Sequence, residues 1–208
     1  MTGLNQYGLQ GCTNCTLCGN SYADPFQRPS RKVDGDGPLP CDVYFLGEAP
    51  GRDEDKAGKP FVGVSGQFLR ECIAESGLGK LSIRIGNTAR CRPPNNRKPL
   101  PEEIEACAIW TELELELAQP KVIIALGGTA ISYFFPGRVL PKKAKVGDYL
   151  GKVFTEYNSI PILGSYHPAA RKASQRNQIR EVCKITAEML GIERKEEKKM
   201  DYRLEVLY

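Results

Sequence analysis

Lys121-Val122-Ile123-Ile124-Ala125-Leu126-Gly127-Gly128-Thr129 is the stretch from which the fold can be read. It is Ile and Val almost throughout, with no alternation of polar side chains, as expected of a strand buried on both faces of a parallel sheet. Gly127-Gly128 closes the run, and Thr129–Phe135 is predicted to be helical. Working outward, Cys41–Leu46, Ile83–Asn87 and Ile160–Leu163 are shorter segments of the same kind. Between and after them lie predicted helices: Ser65–Ser76, Gln175–Leu190, and one that Pro101 opens, with Glu102 and Glu103 suited to its first turn and Pro120 as its stop. Leu113–Leu117 alternates Leu and Glu, a strand-like pattern, but the start and stop signals around it favour the helix. This alternation of strands and helices predicts an α/β fold, a three-layer α/β/α sandwich around a short, mostly parallel four-stranded sheet.

A single domain is expected over residues 1–192. Its first forty residues, rich in Gly, Pro, Asn and Cys, read as a loop region packed on it. The tail, 193–208, opens with a mixed run of Glu, Arg and Lys that reads as a solvated end, and no function is assigned to it.

The chain has 208 residues, 41% apolar and 26% charged, which excludes a largely disordered protein. Its longest apolar runs, such as Val122–Gly128, fall far short of the ~20 residues of a membrane span, so no membrane partner is expected. Met1–Gln10 has no basic stretch followed by an apolar one, so an intracellular protein is expected. Its 29 Lys plus Arg against 25 Asp plus Glu permit a polyanionic partner without requiring one.

Eight cysteines in such a chain point to a metal or cluster rather than to disulfides. With one histidine, His167, any metal site must rest mainly on thiolates. Cys12, Cys15 and Cys18 give two overlapping CxxC pairs, and Cys91 and Cys107 stand further on. Four thiolates suit zinc and iron–sulfur equally on ligand type alone. Cys41, Cys72 and Cys183 lie on apolar faces and read as core.

In open parallel sheets, ligands bind beyond the carboxyl ends of the strands. There the sequence places Gly47-Glu48-Ala49-Pro50-Gly51, Asn87, Gly127-Gly128-Thr129 and Ser165-Tyr166-His167-Pro168. An acid, an amide and the only imidazole are thus expected on one edge of the sheet. Each has a structural alternative: a cap for Glu48, an Asx turn for Asn87, a satisfied structural histidine for His167.

Gly47–Gly51, followed by Asp53-Glu54-Asp55-Lys56 and Gly58–Gly63, closely resembles the first motif of family 4 uracil-DNA glycosylases. Asn87–Arg97 is similar to their second block, and His167-Pro168-Ala169 to their last. The resemblance implies a monofunctional DNA repair enzyme that flips uracil out of single- or double-stranded DNA and hydrolyses its glycosidic bond, leaving an abasic site. It implies Glu48 and His167 as catalytic groups, and Gly47, Glu48, Ala49, Phe61, Asn87 and His167 around the base. It further implies a [4Fe–4S] cluster held by Cys12, Cys15, Cys91 and Cys107, with Leu17 where the family places a leucine; Cys15 with Cys18 is the rival N-terminal pair. A cytoplasmic, DNA-associated prokaryotic protein follows from the same likeness.

The residue chemistry agrees. An Asn carbonyl accepts from uracil N3–H while its NH2 donates to O4, and cytosine presents the opposite pattern. Phe61 offers a flat face for stacking, and a neutral imidazole N–H suffices to meet the charge developing on O2. Glu48 either handles the attacking water or faces the sugar cation. Arg92, Arg97, Arg171 and Lys172 are candidates for phosphate contacts. After His167-Pro168-Ala169 the chain reads Ala170-Arg171-Lys172-Ala173, where family members often carry an apolar wedge, so single-stranded DNA is the easier expected substrate. Two other readings use the same residues: a non-catalytic DNA-binding module of this fold, and a glycosylase for hypoxanthine or xanthine. A phosphate-cradling nucleotide hydrolase is disfavoured, because no Gly-Lys-Ser/Thr follows the Gly-rich turn.

Overall fold

The computed structural model describes residues 3–19 and 31–192, so the tail from 193 lies outside the described residues. The decisive run forms the strand β3 (Val122–Leu126), buried at every position. On one side of β3 lie β1 (Val43–Gly47) and beyond it β2 (Ile83–Asn87); on the other lie β5 (Ile160–Ser165) and then β4 (Val153–Tyr157), giving the order β2-β1-β3-β5-β4. The first four in that order run parallel, as predicted.

The sheet has five strands rather than the predicted four. β4 is antiparallel to β5 and joined to it through Asn158 and Ser159, both with positive φ (50° and 66°). Two consecutive left-handed residues are what a tight two-residue hairpin needs to match strand twist. β4 is half exposed and interrupted by a register shift, so it lacks the continuous apolar run that marked the others.

The helices are α1 (Arg52–Ala57), α2 (Val64–Glu75), α3 (Pro101–Ala118), α4 (Gly127–Ser132) and α5 (Ala173–Met189). α1 was not expected, and α4 begins at Gly127, two positions before the predicted start. Alternate residues of each strand face opposite layers. Val43, Phe45, Val122 and Ile124 pack with Phe68, Leu69 and Cys72 of α2 and Ile179, Val182 and Cys183 of α5. Tyr44, Leu46, Ile123 and Ala125 pack with Ile104, Ala108 and Leu115 of α3 and Ala130 and Ile131 of α4. The result is the expected three-layer sandwich. The Leu113–Leu117 alternation sits in helix α3, where Leu115 faces this core and Glu114 is fully buried as well.

Register fixes where the strands end. Gly47 stands opposite Asn87, and Leu126 opposite Ser165, so the turns that follow emerge along one rim.

Candidate active site and thiol pocket

The β1 and β2 turns are held together past the end of the ladder. Glu48 O accepts from Ala89 N–H (3.0 Å) and from Thr88 Oγ1–H (2.7 Å), and Gly47 O accepts from Thr88 N–H (3.0 Å). A cavity of about 390 Å³ opens above them, within the usual size range of small-molecule sites. Its wall includes Glu48, Ala49, Phe61, Asn87 and His167, so those expected base-binding residues meet in one place. Gly47 lies beneath it: a Cβ there would sit 2.5 Å from Asn87 Oδ1 and 2.6 Å from Phe61 Cζ. Only a glycine lets the ring and the amide close over this strand end.

Phe61 is buried and carries φ +52°, a left-handed conformation rare for a bulky residue. What holds it there is Glu54, which the sequence reading did not single out. Its Oε1 accepts from Val62 N–H (3.0 Å) and Gly63 N–H (2.9 Å), while Oε2 accepts from Gly51 N–H (3.1 Å). One carboxylate thereby ties the loop after Phe61 to the start of α1.

His167 follows β5 and stands with its ring 5.9 Å from that of Phe61, tilted by 33°. Gly127, with φ +86°, gives it room, since a Cβ there would reach 3.0 Å from His167 Cβ. Its Nδ1 accepts from Ala169 N–H (3.1 Å), which places the imidazole proton on Nε2. Burial holds its pKa below the ordinary value, against the opposing pull of Glu48 and Glu54, so the neutral form is the one the site contains. Glu48 Oε2 accepts a short hydrogen bond from Thr129 Oγ1 at the start of α4, a partnership the sequence did not reveal.

Asn87 is 2% exposed, and its Oδ1 is a buried acceptor with no donor among the described residues. Such an atom costs roughly 1–3 kcal/mol of desolvation unless something satisfies it.

The basic candidates divide. Arg97 lines the same cavity and forms a double contact with Glu103 (2.8 and 2.7 Å). Arg92 and Arg171 line an adjoining open groove with Arg52 and Arg176, although Arg92 is largely buried and donates through Nε to Asn96 Oδ1 (2.6 Å). Lys172 is exposed just before α5 and lines neither.

Cys12, Cys15, Cys18, Cys91 and Cys107 line a second, separate pocket beside α3. Trp110 Nε1–H donates to Cys12 Sγ (3.1 Å) and Arg90 N–H to Cys107 Sγ (3.3 Å). Burial pushes the Cys91 thiol up to about 12 and that of Cys107 to about 11, Arg90 partly relieving the latter. Among the described residues no three His, Cys, Asp or Glu are grouped to hold a single metal ion. The five thiols nonetheless line one common pocket, a donor set that suits a thiolate-bound metal or cluster. Leu17 packs beneath it with Ala89, Cys91, Cys15 and Ala49, so the thiol pocket backs directly onto the Glu48-Ala49 turn.

Comparison with known proteins supplies the family. The family model described as "Uracil DNA glycosylase superfamily" matches residues 35–189. The chain is 36% identical over 174 residues to a type-4 uracil-DNA glycosylase of Thermotoga maritima, covering 84% of each chain. It is 37% identical to the type-4 uracil-DNA glycosylase of Archaeoglobus fulgidus over 186 residues, 88% of each. Against the type-4 uracil-DNA glycosylase of Pyrobaculum aerophilum the identity is 38%, over 82% of this chain and 85% of the relative.

Proposed function

The chain belongs to the uracil DNA glycosylase superfamily, and from that premise we propose that it is a DNA repair glycosylase that releases uracil from DNA and leaves an abasic site. The observation that carries this reading is the donorless Asn87 Oδ1 inside the cavity. An acceptor waiting there selects a base that brings an N–H to it, as uracil does at N3 and cytosine does not.

The chemistry follows from the groups around it. Phe61 offers its face to the flipped base. Asn87 accepts from N3–H and donates to O4. As the glycosidic bond breaks, charge gathers on O2, and His167 Nε2–H donates to it; the Nδ1 contact with Ala169 fixes that tautomer before the reaction begins. Glu48, steadied by Thr129, supplies the negative charge for the sugar cation or takes the proton of the attacking water. Arg92, Arg97 and Arg171 border the site and are read as phosphate contacts, with Lys172 beside them.

Cys12, Cys15, Cys91 and Cys107 would hold a [4Fe–4S] cluster, whose part would be to cross-link the N-terminal segment to α3 behind the Glu48-Ala49 turn. Cys18 shares the pocket and remains the rival to Cys12. Residues 1–192 are read as one glycosylase domain, acting in the cytoplasm on DNA; among the described residues no helix is long and apolar enough to cross a membrane.

The test is uracil release from a uracil-containing single-stranded oligonucleotide by the native chain and by Asn87→Asp and His167→Ala. The reading expects release by the native chain and a large loss in both variants; equal rates in all three overturn the site assignment. A parallel set containing hypoxanthine or xanthine distinguishes the base, and no release of any base leaves a non-catalytic DNA-binding module.

A further inference from the structure

We propose that Arg90 and Lys32 are the counter-charges of the group held in the thiol pocket and that they set its reduction potential and its retention. This rests on the iron–sulfur reading above.

Among the described residues the pocket wall contains five cysteines, two cations (Arg90 and Lys32) and no carboxylate. A cluster in four thiolates is a net anion, and a buried anion is costly unless cations lie close. Arg90 is the larger contributor. It is 1% exposed and lies along one stripe of α3, past Cys107, Trp110, Thr111 and Glu114, at helical spacings of three and four. Its backbone N–H donates to Cys107 Sγ (3.3 Å). Its Nη2 meets Glu114 Oε2 (2.6 Å), Trp110 O (3.4 Å) and Thr111 Oγ1 (3.5 Å). Its Nε and Nη1 are buried and have no partner among the described residues.

A guanidinium with two unused donors beside a ring of thiols fits an anion that is to occupy the pocket. Glu114 is divided between two guanidinium groups, since it also receives Arg84 Nε at 2.7 Å; Arg84 has Asp34 besides (3.3 Å), whereas Arg90 shares its carboxylate. Lys32 comes from the segment facing α3, with Nζ donating to Cys18 O (3.3 Å), and the next residue ties that segment to Arg90 itself through Val33 N–H to Arg90 O (2.7 Å). The two cations thus approach the pocket from separate pieces of chain.

The experiment uses the purified holoprotein with Arg90→Gln, Lys32→Gln and, as a control, Arg84→Gln. Arg84 is equally buried and shares Glu114 but does not line the pocket. Readouts are iron and sulfide per chain, the reduction midpoint followed by electron paramagnetic resonance, and the rate of iron release to a chelator. Loss of a nearby positive charge makes reduction harder, so Arg90→Gln and Lys32→Gln are expected to lower the midpoint. Iron release is expected to quicken by about 10–100-fold in Arg90→Gln, the usual scale for a group supporting the ligands. Lys32 is only half buried, so its variant keeps the fold and reads the charge effect should Arg90→Gln fail to accumulate. Arg84→Gln is expected to lose thermal stability while keeping the native midpoint. Native chains that carry no iron overturn the cluster reading and this proposal with it. Iron-loaded native chains whose Lys32 and Arg90 variants share their midpoint and release rate overturn the proposal alone, as does an equal shift in Arg84→Gln.

Discussion

Two pockets stand back to back across the Ala49–Ala89 contact, and their unsatisfied atoms have opposite sense. On the rim side the orphan is an acceptor, Asn87 Oδ1; on the α3 side the orphans are donors, Arg90 Nε and Nη1. The rim offers an acceptor that matches an N–H, and the thiol pocket offers donors that match an anion. The rim is built from turns that each follow a different strand and meet only because the strands end in register. The thiol pocket is built from a segment laid over one helix and bound by buried charge. The first is therefore pre-formed by the sheet, and the second depends on Glu114 and on what the thiols bind.

Glu114→Ala is the harshest way to break that contrast. It removes the carboxylate that meets Arg84, Arg90 and the Tyr44 hydroxyl, leaving the buried Arg90 guanidinium uncompensated and Arg84 with Asp34 alone. Opening such a network costs about 3–5 kcal/mol. Thermal unfolding should show that loss, with iron content falling at the same time. Unchanged stability would mean that the α3 side does not rest on charge.

His167→Ala probes the other pocket. Removing one oxyanion donor costs ~10²–10³ in rate. Single-turnover uracil release should fall by that factor while unfolding temperature and iron content stay close to native. A variant that also lost iron would show the two pockets to be one cooperative unit.

The rim was the more legible of the two pockets in the sequence. Glu48 and His167 follow their strands by a residue or two and Asn87 closes its own, so reading the strands located the side chains, and Phe61 lay inside the motif itself. The layered fold was legible for the same reason, from β3 outward. β4 was not, because a half-exposed edge strand carries no buried run; its signal was Asn158-Ser159 after Val153–Tyr157. Glu54, Thr129 and Arg90 were missed because their roles depend on partners that only folding supplies: a loop's amides, an acid 81 positions away in the chain, and a stripe of α3. Glu114 sat in plain sight within the Leu–Glu alternation, where a surface position is the ordinary reading of an acid.

Thr129→Val sharpens the rim further. The hydroxyl donates to Glu48, and hydrogen bonds to charged groups contribute about 1.5–3 kcal/mol. If that contact aims Glu48 at the reaction, the variant should lose roughly 10-fold or more in single-turnover rate with little change in oligonucleotide affinity, and Thr129→Ser should restore most of it. Equal loss in the Ser and Val variants would assign Thr129 to packing instead.

The smallest expected effect is that of pH, and it separates the pockets without mutation. His167 is half-buried, and desolvation holds its pKa below the ordinary value of about 6.5. The unfolded chain takes up that proton near pH 6.5 and the folded one only at lower pH, so the unfolded state binds more protons in between. Stability is therefore complete above about pH 6.5 and falls as pH drops toward the lowered value, by about 1.4 kcal/mol for each unit of displacement. Protonation would also turn Nδ1 into a donor facing the Ala169 N–H, breaking the contact that fixes the tautomer. The acid limb of uracil release should accordingly lie below pH 6.5, and the stability loss over the same interval should vanish in His167→Ala. An acid limb at or above pH 6.5 would mean that the rim stabilises the charged imidazole, and the oxyanion role assigned to a neutral Nε2–H would then be wrong.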